Sequence, residues 1–504
     1  MSFRIIESLN VVDYLIIILL TFLLYLFRFY YNYFTRPNPL PGPLPLPFRL
    51  ESHFFDGNIR RFAAELCQKY GDICEFRLGG HRRILVSKQE YIEDLLSPSR
   101  TVFIKHENSQ ALDMLGIVGR GMFFNNDYDI WKINKYFLLQ SISTHGFNEE
   151  AIKRTIELFE KLNGYWNSLK KTLSCNDEWF EMDLLPWIKS LMTDNISIII
   201  TGERGCSMAK YYDTFNSNKS KIETVFDDPI VYDSDKFSRT TSAHIKGTFS
   251  LYDVYPFLLR YVPFFKNKAN AILKDRDYIL KTLGNMIEKR RFDFANSPQK
   301  LKSKHDLLTL LITANNDAKK SKMIESLTNE DISALLYDAS IAGAVTASNT
   351  LCYAIYYICC NPHVKQKMFD EIDSVFPNNS SDKLCLTSEN LAKLRYCESI
   401  IKEALRLTHV VPVLKRVSSA ERKVAGYTWP SETVFHLNHA GMHIDEKYFV
   451  NPTAFDPDRF YLQNDLSELN DDLGNFDKEN NKPINKKCSL IIFGRGMRLC
   501  PEES

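Results

Sequence analysis

The stretch that decides the fold is FGRGMRLC, residues 493–500. Its two glycines allow backbone N–H groups to come close to a ligand, and Arg498 would pair with a carboxylate. Cys500 ends the stretch, and a cysteine thiolate is a strong ligand for iron. The alternative interpretation is a glycine-rich turn that carries a buried structural cysteine. The ordered combination of Phe, Gly, Gly, Arg and Cys favours a metal-ligand loop beside an anionic group.

This order of residues resembles the haem-ligand loop of the cytochrome P-450 family, the haem-thiolate monooxygenases. The resemblance implies that Cys500 is the axial ligand of the iron in haem b, and that Phe493, Gly496 and Arg498 help to bind this cofactor. Thiolate ligation pushes electron density to the iron and favours cleavage of an O–O bond. We therefore expect haem chemistry at the C-terminal end of the chain.

Length and composition set the outer limits of the fold. The chain has 504 residues, of which 44% are hydrophobic, enough for one large domain or for two to three ordinary ones. A total of 63 Lys and Arg against 62 Asp and Glu gives a net charge of +1, which indicates no nucleic-acid partner. The eleven cysteines include no C-x-x-C pair, which argues against a disulfide scaffold or a zinc site and fits a reducing compartment.

The N-terminal residues 11–34 are almost all apolar or aromatic, and residues 14–27 carry no charge. About twenty such residues span a bilayer as a helix. No small-residue cleavage site follows, so we interpret 11–34 as a retained transmembrane signal anchor rather than as a buried core helix. Arg28 and Arg36 flank its C-terminal end while the N-terminal flank is net negative, which predicts a catalytic body in the cytosol. The resemblance implies a single-pass protein of the endoplasmic reticulum membrane.

Residues 35–50 hold alternating prolines and predict an extended, proline-rich hinge that separates the anchor from a catalytic domain at 51–504. Within that domain, 58–70 has helical periodicity, and 73–86 predicts a β-hairpin. These patterns indicate a small sheet-rich lobe after the hinge.

The middle of the chain, residues 145–325, is mostly long amphipathic helices. Residues 101–127 predict a long loop, and the resemblance implies that this loop covers the substrate pocket. The aromatic segment 252–265 resembles the loop between two lid helices, and it could either touch a membrane or pack in the ordinary way. The polar residues 462–487 predict a mobile surface insertion. A set of basic residues would form either a docking face for an acidic electron donor or a solvated run of charge. These residues are Lys132, Lys135, Lys482, Lys486 and Lys487.

Trp131 and Lys135 lie four residues apart and share one face of a helix. The family pairs a Trp with a basic residue, usually Arg, at this spacing to bind a haem propionate. Lysine offers a point charge where arginine offers a fork, so the contact is weaker here. Without the resemblance, the pair would be an aromatic core residue beside a solvated lysine.

A helix of about thirty residues is predicted between Thr328, which with Asp331 forms a start signal, and Pro362. Inside it lies Ala342-Gly343-Ala344-Val345-Thr346. Gly343 costs helix stability, and a flat group approaching this face would explain it. The segment resembles the oxygen-activation groove of the family, which implies catalytic roles for Ala342, Gly343 and above all the proton-relaying hydroxyl of Thr346. The family has an acid where this chain has Val345, and a helix-packing notch is the alternative interpretation.

Glu403 and Arg406 lie three residues apart on a helix, and Arg459 lies in a segment that resembles the second signature of the family. The resemblance implies a buried Glu403–Arg406–Arg459 triad that locks the fold near the haem. Arg416 stands where the family turns a strand past the haem, so Arg416 joins Arg498 as a candidate propionate partner.

Together these features predict a mainly α-helical, cytochrome P-450-like fold with a minor β lobe, preceded by one transmembrane helix. The resemblance implies insertion of one atom of O₂ into an apolar substrate such as a lipid, sterol or xenobiotic. Electrons would come from NADPH through a reductase, with a cytochrome b-type donor as a further possibility. The alternatives are a haem-thiolate isomerase, dehydratase or peroxygenase, or an inactive haem-binding product.

The resemblance also implies a helix and a β segment after Cys500, whereas the sequence ends at Ser504. We expect a catalytic domain without its C-terminal helix and strands, a truncated version of an active enzyme, to bind haem weakly or not at all.

Overall fold

The computed structural model describes residues 10–47, 58–78, 81–97, 119–123, 125–173, 181–215, 233–251, 254, 256–297, 299, 304–321, 326–377, 386–461, 475–476, 483–484 and 490–501. The helices are α1 (Val11–Phe34), α2 (Ile59–Tyr70), α3 (Gln89–Leu96), α4 (Tyr128–Ile142), α5 (His145–Leu173), α6 (Leu184–Thr201), α7 (Ser207–Asp213), α8 (Ser234–Leu251), α9 (Pro256–Tyr261), α10 (Pro263–Asn296), α11 (Leu307–Ser321), α12 (Asn329–Cys360), α13 (Pro362–Val375), α14 (Ser388–Lys393), α15 (Arg395–Leu407) and α16 (His439–His443). The strands are β1 (Ile73–Leu78), β2 (His81–Val86), β3 (Leu414–Val417), β4 (Arg422–Val424), β5 (Tyr427–Trp429), β6 (Val434–Leu437), β7 (Asn475–Phe476) and β8 (Pro483–Ile484). The mainly helical class with a small β region is confirmed.

The main sheet has the strand order β1-β2-β6-β3. β1 and β2 are antiparallel, as the hairpin pattern predicts, with Ile73 opposite Val86. β6 runs parallel to β2 and antiparallel to β3, which pairs Arg416 with Phe435. This sheet brings residues from both ends of the domain together, and it positions β3 beside the C-terminal loop.

The central helix α12 has 32 residues and packs against α6, α10 and α15. It starts where the sequence predicts, because the Thr328 side chain accepts the Asp331 N–H at 3.1 Å and the Asp331 carboxylate accepts the Thr328 N–H at 2.9 Å. Ile332 and Leu336 on its first turns are fully buried and join a large cluster of apolar side chains from α10 and α11. The helix therefore crosses the core rather than covering it.

Among the described residues, α1 is the helix long and apolar enough to span a membrane. It has 24 residues and a mean hydropathy of 2.2 in its most apolar window, of which none is buried. The Asn10 side chain caps its start by accepting the Asp13 N–H at 3.0 Å. These properties fit the predicted anchor.

Residues 36–46 of the predicted hinge form neither helix nor strand, and they lie against the edge of the main sheet. The Glu75 carboxylate of β1, 3% exposed, forms ion pairs with Arg36 at 2.5 Å and with Arg82 at 2.5 Å. The same carboxylate accepts the N–H of the buried Leu40 at 3.3 Å. A buried charge stays only where partners satisfy it, so the segment is fixed to the sheet edge. Residues 48–50 of the predicted hinge lie outside the described residues.

One other expectation changes, and a second falls mostly outside the described residues. Residues 256–265 are not a loop, because α9 begins at Pro256 and α10 at Pro263, the position in a helix that tolerates proline. Of the predicted insertion at 462–487, the structure describes β7 and β8, which pair antiparallel. The remainder of that insertion, including Lys482, Lys486 and Lys487, and residues 101–118 and 124 of the predicted loop lie outside the described residues.

Candidate functional site

The loop that ends at Cys500 is closed by its own backbone. The Cys500 N–H donates to the Phe493 carbonyl at 3.1 Å, and the Leu499 N–H donates to the Gly496 carbonyl at 3.2 Å. Gly494 and Gly496 have φ angles of +81° and +72°, which other residues adopt at a cost. The chain thus turns tightly and leaves the Cys500 side chain partly exposed.

Gly496 is also required by its surroundings. A Cβ at this position would stand 2.1 Å from the carbonyl oxygen of Leu96, at the C-terminal end of α3. Backbone atoms cannot move aside as a flexible side chain can, so this contact fixes the loop against α3. At Gly494, the other glycine of the loop, an added Cβ would lie 3.8 Å or more from every described neighbouring atom. Gly494 is therefore required for its φ angle.

A basic side chain of α4 meets this loop, and a basic side chain of the loop reaches the segment that precedes α4. Lys135 of α4 donates from Nζ to the Met497 carbonyl at 2.8 Å. Arg498 donates from Nη1 to the Met122 carbonyl at 2.8 Å. The buried Trp131 ring lies beside both cations, with its centroid 5.1 Å from Lys135 Nζ and 5.0 Å from Arg498 Cζ. The structure therefore brings together Trp131, Lys135 and Arg498, as the sequence predicts.

Arg416 of β3 completes the basic group. Its side chain is 3% exposed, and Nη2 lies 3.9 Å from the point where a Cβ on Gly494 would stand. Its hydrogen bond is to the Lys415 carbonyl at 2.9 Å, and no carboxylate of the described residues forms an ion pair with it. A buried guanidinium without a carboxylate is costly, so this position favours a bound anion.

The pKa shifts of these cations agree with this preference. Burial lowers the pKa of Arg416 to about 10. Burial, with a further contribution from the charge of Arg416, lowers the pKa of Arg498 to about 9. The pKa of Lys135 is lowered by burial and then by Arg498, while the nearby Cys500 acts in the opposite direction. A dianionic ligand beside a thiolate would relieve all three cations, and the two propionates and the iron of haem fit this donor set.

Asp338 is a residue of the site that sequence analysis missed. It lies on α12 two turns before Thr346, and its Oδ2 accepts the N–H groups of Met122 at 2.6 Å and of Phe123 at 2.7 Å. Because the Met122 carbonyl accepts from Arg498, Asp338 fixes the short segment that holds this arginine. The sequence does contain a signal for it, because Asp338 lies four residues before Ala342 and eight before Thr346, on the same face of the helix.

The Gly343 prediction needs correction. A Cβ on Gly343 would stand 2.3 Å from Cδ1 of Ile196 in α6, so close helix packing rather than an approaching flat group accounts for this glycine. The Thr346 hydroxyl is half-buried and donates to the Ala342 carbonyl one turn earlier. Val345 is 46% exposed.

The structure brings Glu403, Arg406 and Arg459 together. Glu403 is fully buried and accepts two hydrogen bonds from Arg406, at 2.7 and 2.8 Å, and one from Arg459 at 3.0 Å. Arg406 also donates to the carbonyls of His443 at 2.6 Å and Pro452 at 2.7 Å. The triad ties α15 to the segment that precedes the cysteine loop.

Comparisons with known proteins agree with this geometry. A family model described as Cytochrome P450 matches residues 40–502. The steroid 17-alpha-hydroxylase/17,20 lyase of Squalus acanthias is 23% identical over 448 residues, which cover 86% of this chain and 76% of that protein. The melianol synthase of Ailanthus altissima is 26% identical over 449 residues, 88% of this chain and 76% of that protein. The crystal structure of the cytochrome P450DA haem domain shares the fold, with a TM-score of 0.67 at 18% identity over 93% of this chain and 88% of that one.

Proposed function

Because this chain belongs to the cytochrome P450 family, we propose that it is a membrane-anchored monooxygenase that inserts one atom of O₂ into an apolar organic substrate, with electrons from NADPH supplied through a reductase. The observation that carries the proposal is the meeting of Lys135, Arg416 and Arg498 beside the loop of Cys500. Three cations next to one candidate thiolate form the environment that an acidic haem requires.

Each of these residues has a distinct role in the proposal. Cys500 would bind the iron of haem b through its thiolate, and the bound haem would supply the oxygen-activating chemistry. Arg416 and Arg498 bind the propionates with planar forks, and Lys135 binds them as a point charge. The Trp131 ring lies close to both Lys135 and Arg498 and would help to position the two cations for the propionates.

On α12, Thr346 is the residue proposed to move a proton. Its hydroxyl donates to the Ala342 carbonyl, which leaves the oxygen lone pairs able to accept from water or substrate. Ala342 lies on the same face and leaves room beside this hydroxyl. Gly343 contributes indirectly, because it lets α6 approach and so sets the position of α12.

The substrate class and the location are also proposals. The relatives named for a steroid hydroxylase and for melianol synthase favour a lipid-like or sterol-like substrate. The exposed apolar helix α1 favours anchoring in the endoplasmic reticulum membrane, with the catalytic domain, residues 51–504, on the cytosolic side. The exposed side chains of Phe257, Tyr261 and Phe264 would add a second, weaker membrane contact.

A second candidate function is a haem-thiolate isomerase, dehydratase or peroxygenase. Val345 favours it, since these reactions do not depend on a carboxylate next to Thr346 for protons. Turnover of the membrane-bound protein distinguishes the two. We expect product formation to require NADPH, O₂ and a reductase, and spin-state changes with sterol-like ligands to identify the substrate. Product formed with peroxide but not with NADPH, O₂ and a reductase, or formed by rearrangement without any oxidant, would contradict the monooxygenase proposal.

A further inference from the structure

A cleft separate from the cysteine loop lies between the N-terminal turns of α5, the C-terminal end of α6 and the residues that precede α11. Its volume is about 300 Å³, and residues 304–306 form one of its walls. The described residues that line it include none from the cysteine loop or from the basic group around that loop. Pockets that bind small molecules usually measure about 300–1,000 Å³, so the cleft has room for a small organic ligand.

Two glycines allow residues 304–306 to come close to the neighbouring helices. A Cβ on Gly146 of α5 would stand 2.7 Å from Nδ1 of His305. A Cβ on Gly202, directly after α6, would stand 2.7 Å from Oδ2 of Asp306, and Gly202 has a φ angle of +65°. These close contacts fix His305 and Asp306 against the two helices, so the wall that they form is part of the fold.

The carboxylates that line the cleft already have cationic partners. Asp306 is buried and accepts two hydrogen bonds from Arg290 Nη1, at 2.7 and 2.8 Å. Glu150 accepts from Arg154 Nε at 2.7 Å, and Glu157 accepts from Nη1 of the same arginine at 3.0 Å. Because Asp306 and Glu150 are paired in this way, neither acid neutralises the remaining cations of the cleft.

Three further donors line the cleft, namely Lys153 of α5, Lys304 and His305. His305 is half-buried and both lysines are exposed, and none of the three forms an ion pair or hydrogen bond with the described residues. A phosphate monoester carries a charge of about −1.5 to −2 at pH 7 and has three strong acceptor oxygens. Two lysines and one imidazole match this charge and this number of acceptors better than they match a carboxylate, which has one charge and two oxygens.

Apolar side chains line the rest of the cleft. They are Phe147 and Ala151 of α5 and Ile198 and Ile199 of α6. An apolar wall next to cationic side chains favours a ligand that has an organic body as well as an anionic group, because binding then removes apolar surface from water.

We propose that this cleft is a binding site for a small organic phosphate monoester. Lys153, Lys304 and His305 bind the phosphate group, and the organic body packs against Phe147 and Ala151. The site does not depend on haem or on the proposed monooxygenase function, so the two proposals succeed or fail separately.

Binding of phenyl phosphate to the full chain in detergent, measured by isothermal titration calorimetry, tests the proposal. We expect saturable binding at least about tenfold tighter than that of inorganic phosphate, since only the ester has a body that covers apolar surface. Lys153→Gln combined with Lys304→Gln should weaken the binding at least about tenfold, because two charge-assisted hydrogen bonds are lost. Ala151→Phe fills the apolar side of the cleft and should abolish the preference for the ester.

Two controls locate the bound phosphate. Lys170→Gln combined with Lys171→Gln removes the same charge from the exposed C-terminal turn of α5 and should leave the affinity unchanged. Lys135→Gln beside the cysteine loop should also leave it unchanged. Equal weakening in the Lys170 and Lys171 variant would show that binding follows overall charge, and loss of binding in Lys135→Gln would place the phosphate at the cysteine loop. Either result, no saturable binding to the wild type, or equal affinity for phenyl phosphate and inorganic phosphate would overturn the proposal.

Discussion

The cysteine loop at 493–500 and the Ala342–Thr346 segment of α12 both contain a glycine that lets another part of the molecule come close, but the two glycines face different neighbours. Gly496 meets the backbone carbonyl of Leu96, and Gly343 meets the tip of the Ile196 side chain. Residues of α4 and β3 converge on the loop, whereas the α12 segment is explained by packing between two helices. A loop motif that residues from distant parts of the chain contact therefore indicates a ligand more strongly than a small-residue motif within one helix.

The largest effect is expected at the triad that holds the region of the loop. Glu403→Gln removes the charge that satisfies Arg406 and Arg459, and Arg406 has no exposed surface. Breaking a buried ion pair by removing one partner costs about 3–5 kcal/mol. Urea unfolding should show this loss. Glu398→Gln on the same helix, whose partner Lys402 is on the surface, should change stability by less than about 1 kcal/mol. Equal losses of unfolding free energy in both variants would show that the triad does not stabilise this region.

Gly496→Ala should be the next largest effect. A Cβ there overlaps the Leu96 carbonyl and stands on a left-handed residue, which costs about 1–3 kcal/mol for overpacking and about 1–2 kcal/mol for the conformation. The Tm measured by differential scanning calorimetry and the haem content should both fall. A variant with normal stability and full haem content would contradict the close contact with α3.

Much of the fold is predictable because it depends on local patterns. The Thr328 cap, the apolar run of α1 and the β1–β2 hairpin each follow from neighbouring residues. Glu403, Arg406 and Arg459 could be grouped only because two motifs resemble one family, since no local rule joins positions more than fifty residues apart. The contact of Asp338 with the Met122 segment and the contact of Glu75 with Arg36 depend on tertiary packing, so sequence analysis missed both.

The pH dependence of stability should also distinguish the region of the cysteine loop from the Ala342–Thr346 segment of α12. His443 accepts the N–H of Ile491, at the start of the loop segment, at 2.9 Å, and the His409 and His439 rings pack beside His443. Burial lowers the pKa of His439 to about 4 and that of His409 to about 2, against 6.5 in the unfolded chain. Below pH 6.5 the unfolded chain binds more protons, so stability falls by about 1.4 kcal/mol per pH unit for each histidine.

The measurement is the free energy of unfolding between pH 7 and pH 4.5, with hydrogen exchange to locate the change. We expect loss of protection at Ile491 before any loss in the middle of α12. His439→Gln should reduce the slope. A slope that stays the same in this variant would show that other groups control the acid transition.

The smallest effect concerns Gly343. Gly343→Ala gains about 1 kcal/mol of helix propensity but forces the end of Ile196 to move, for a net loss of about 1 kcal/mol. Adding Ile196→Val should recover stability. Gly164 on α5 has open space around its Cβ position, so Gly164→Ala should stabilise the protein. If Ile196→Val does not restore the stability of Gly343→Ala, packing against α6 does not explain Gly343, and a role facing the ligand would be favoured.

The most direct test of the central claim is the absorption spectrum of the reduced protein with carbon monoxide. For whatever haem the protein binds, the account predicts the red-shifted Soret band of thiolate ligation in the wild type and in Cys359→Ala, a surface cysteine at the end of α12. Cys500→Ala should lose the band completely. A red-shifted band that persists in Cys500→Ala would show that another cysteine binds the iron, and would contradict the assignment of the loop.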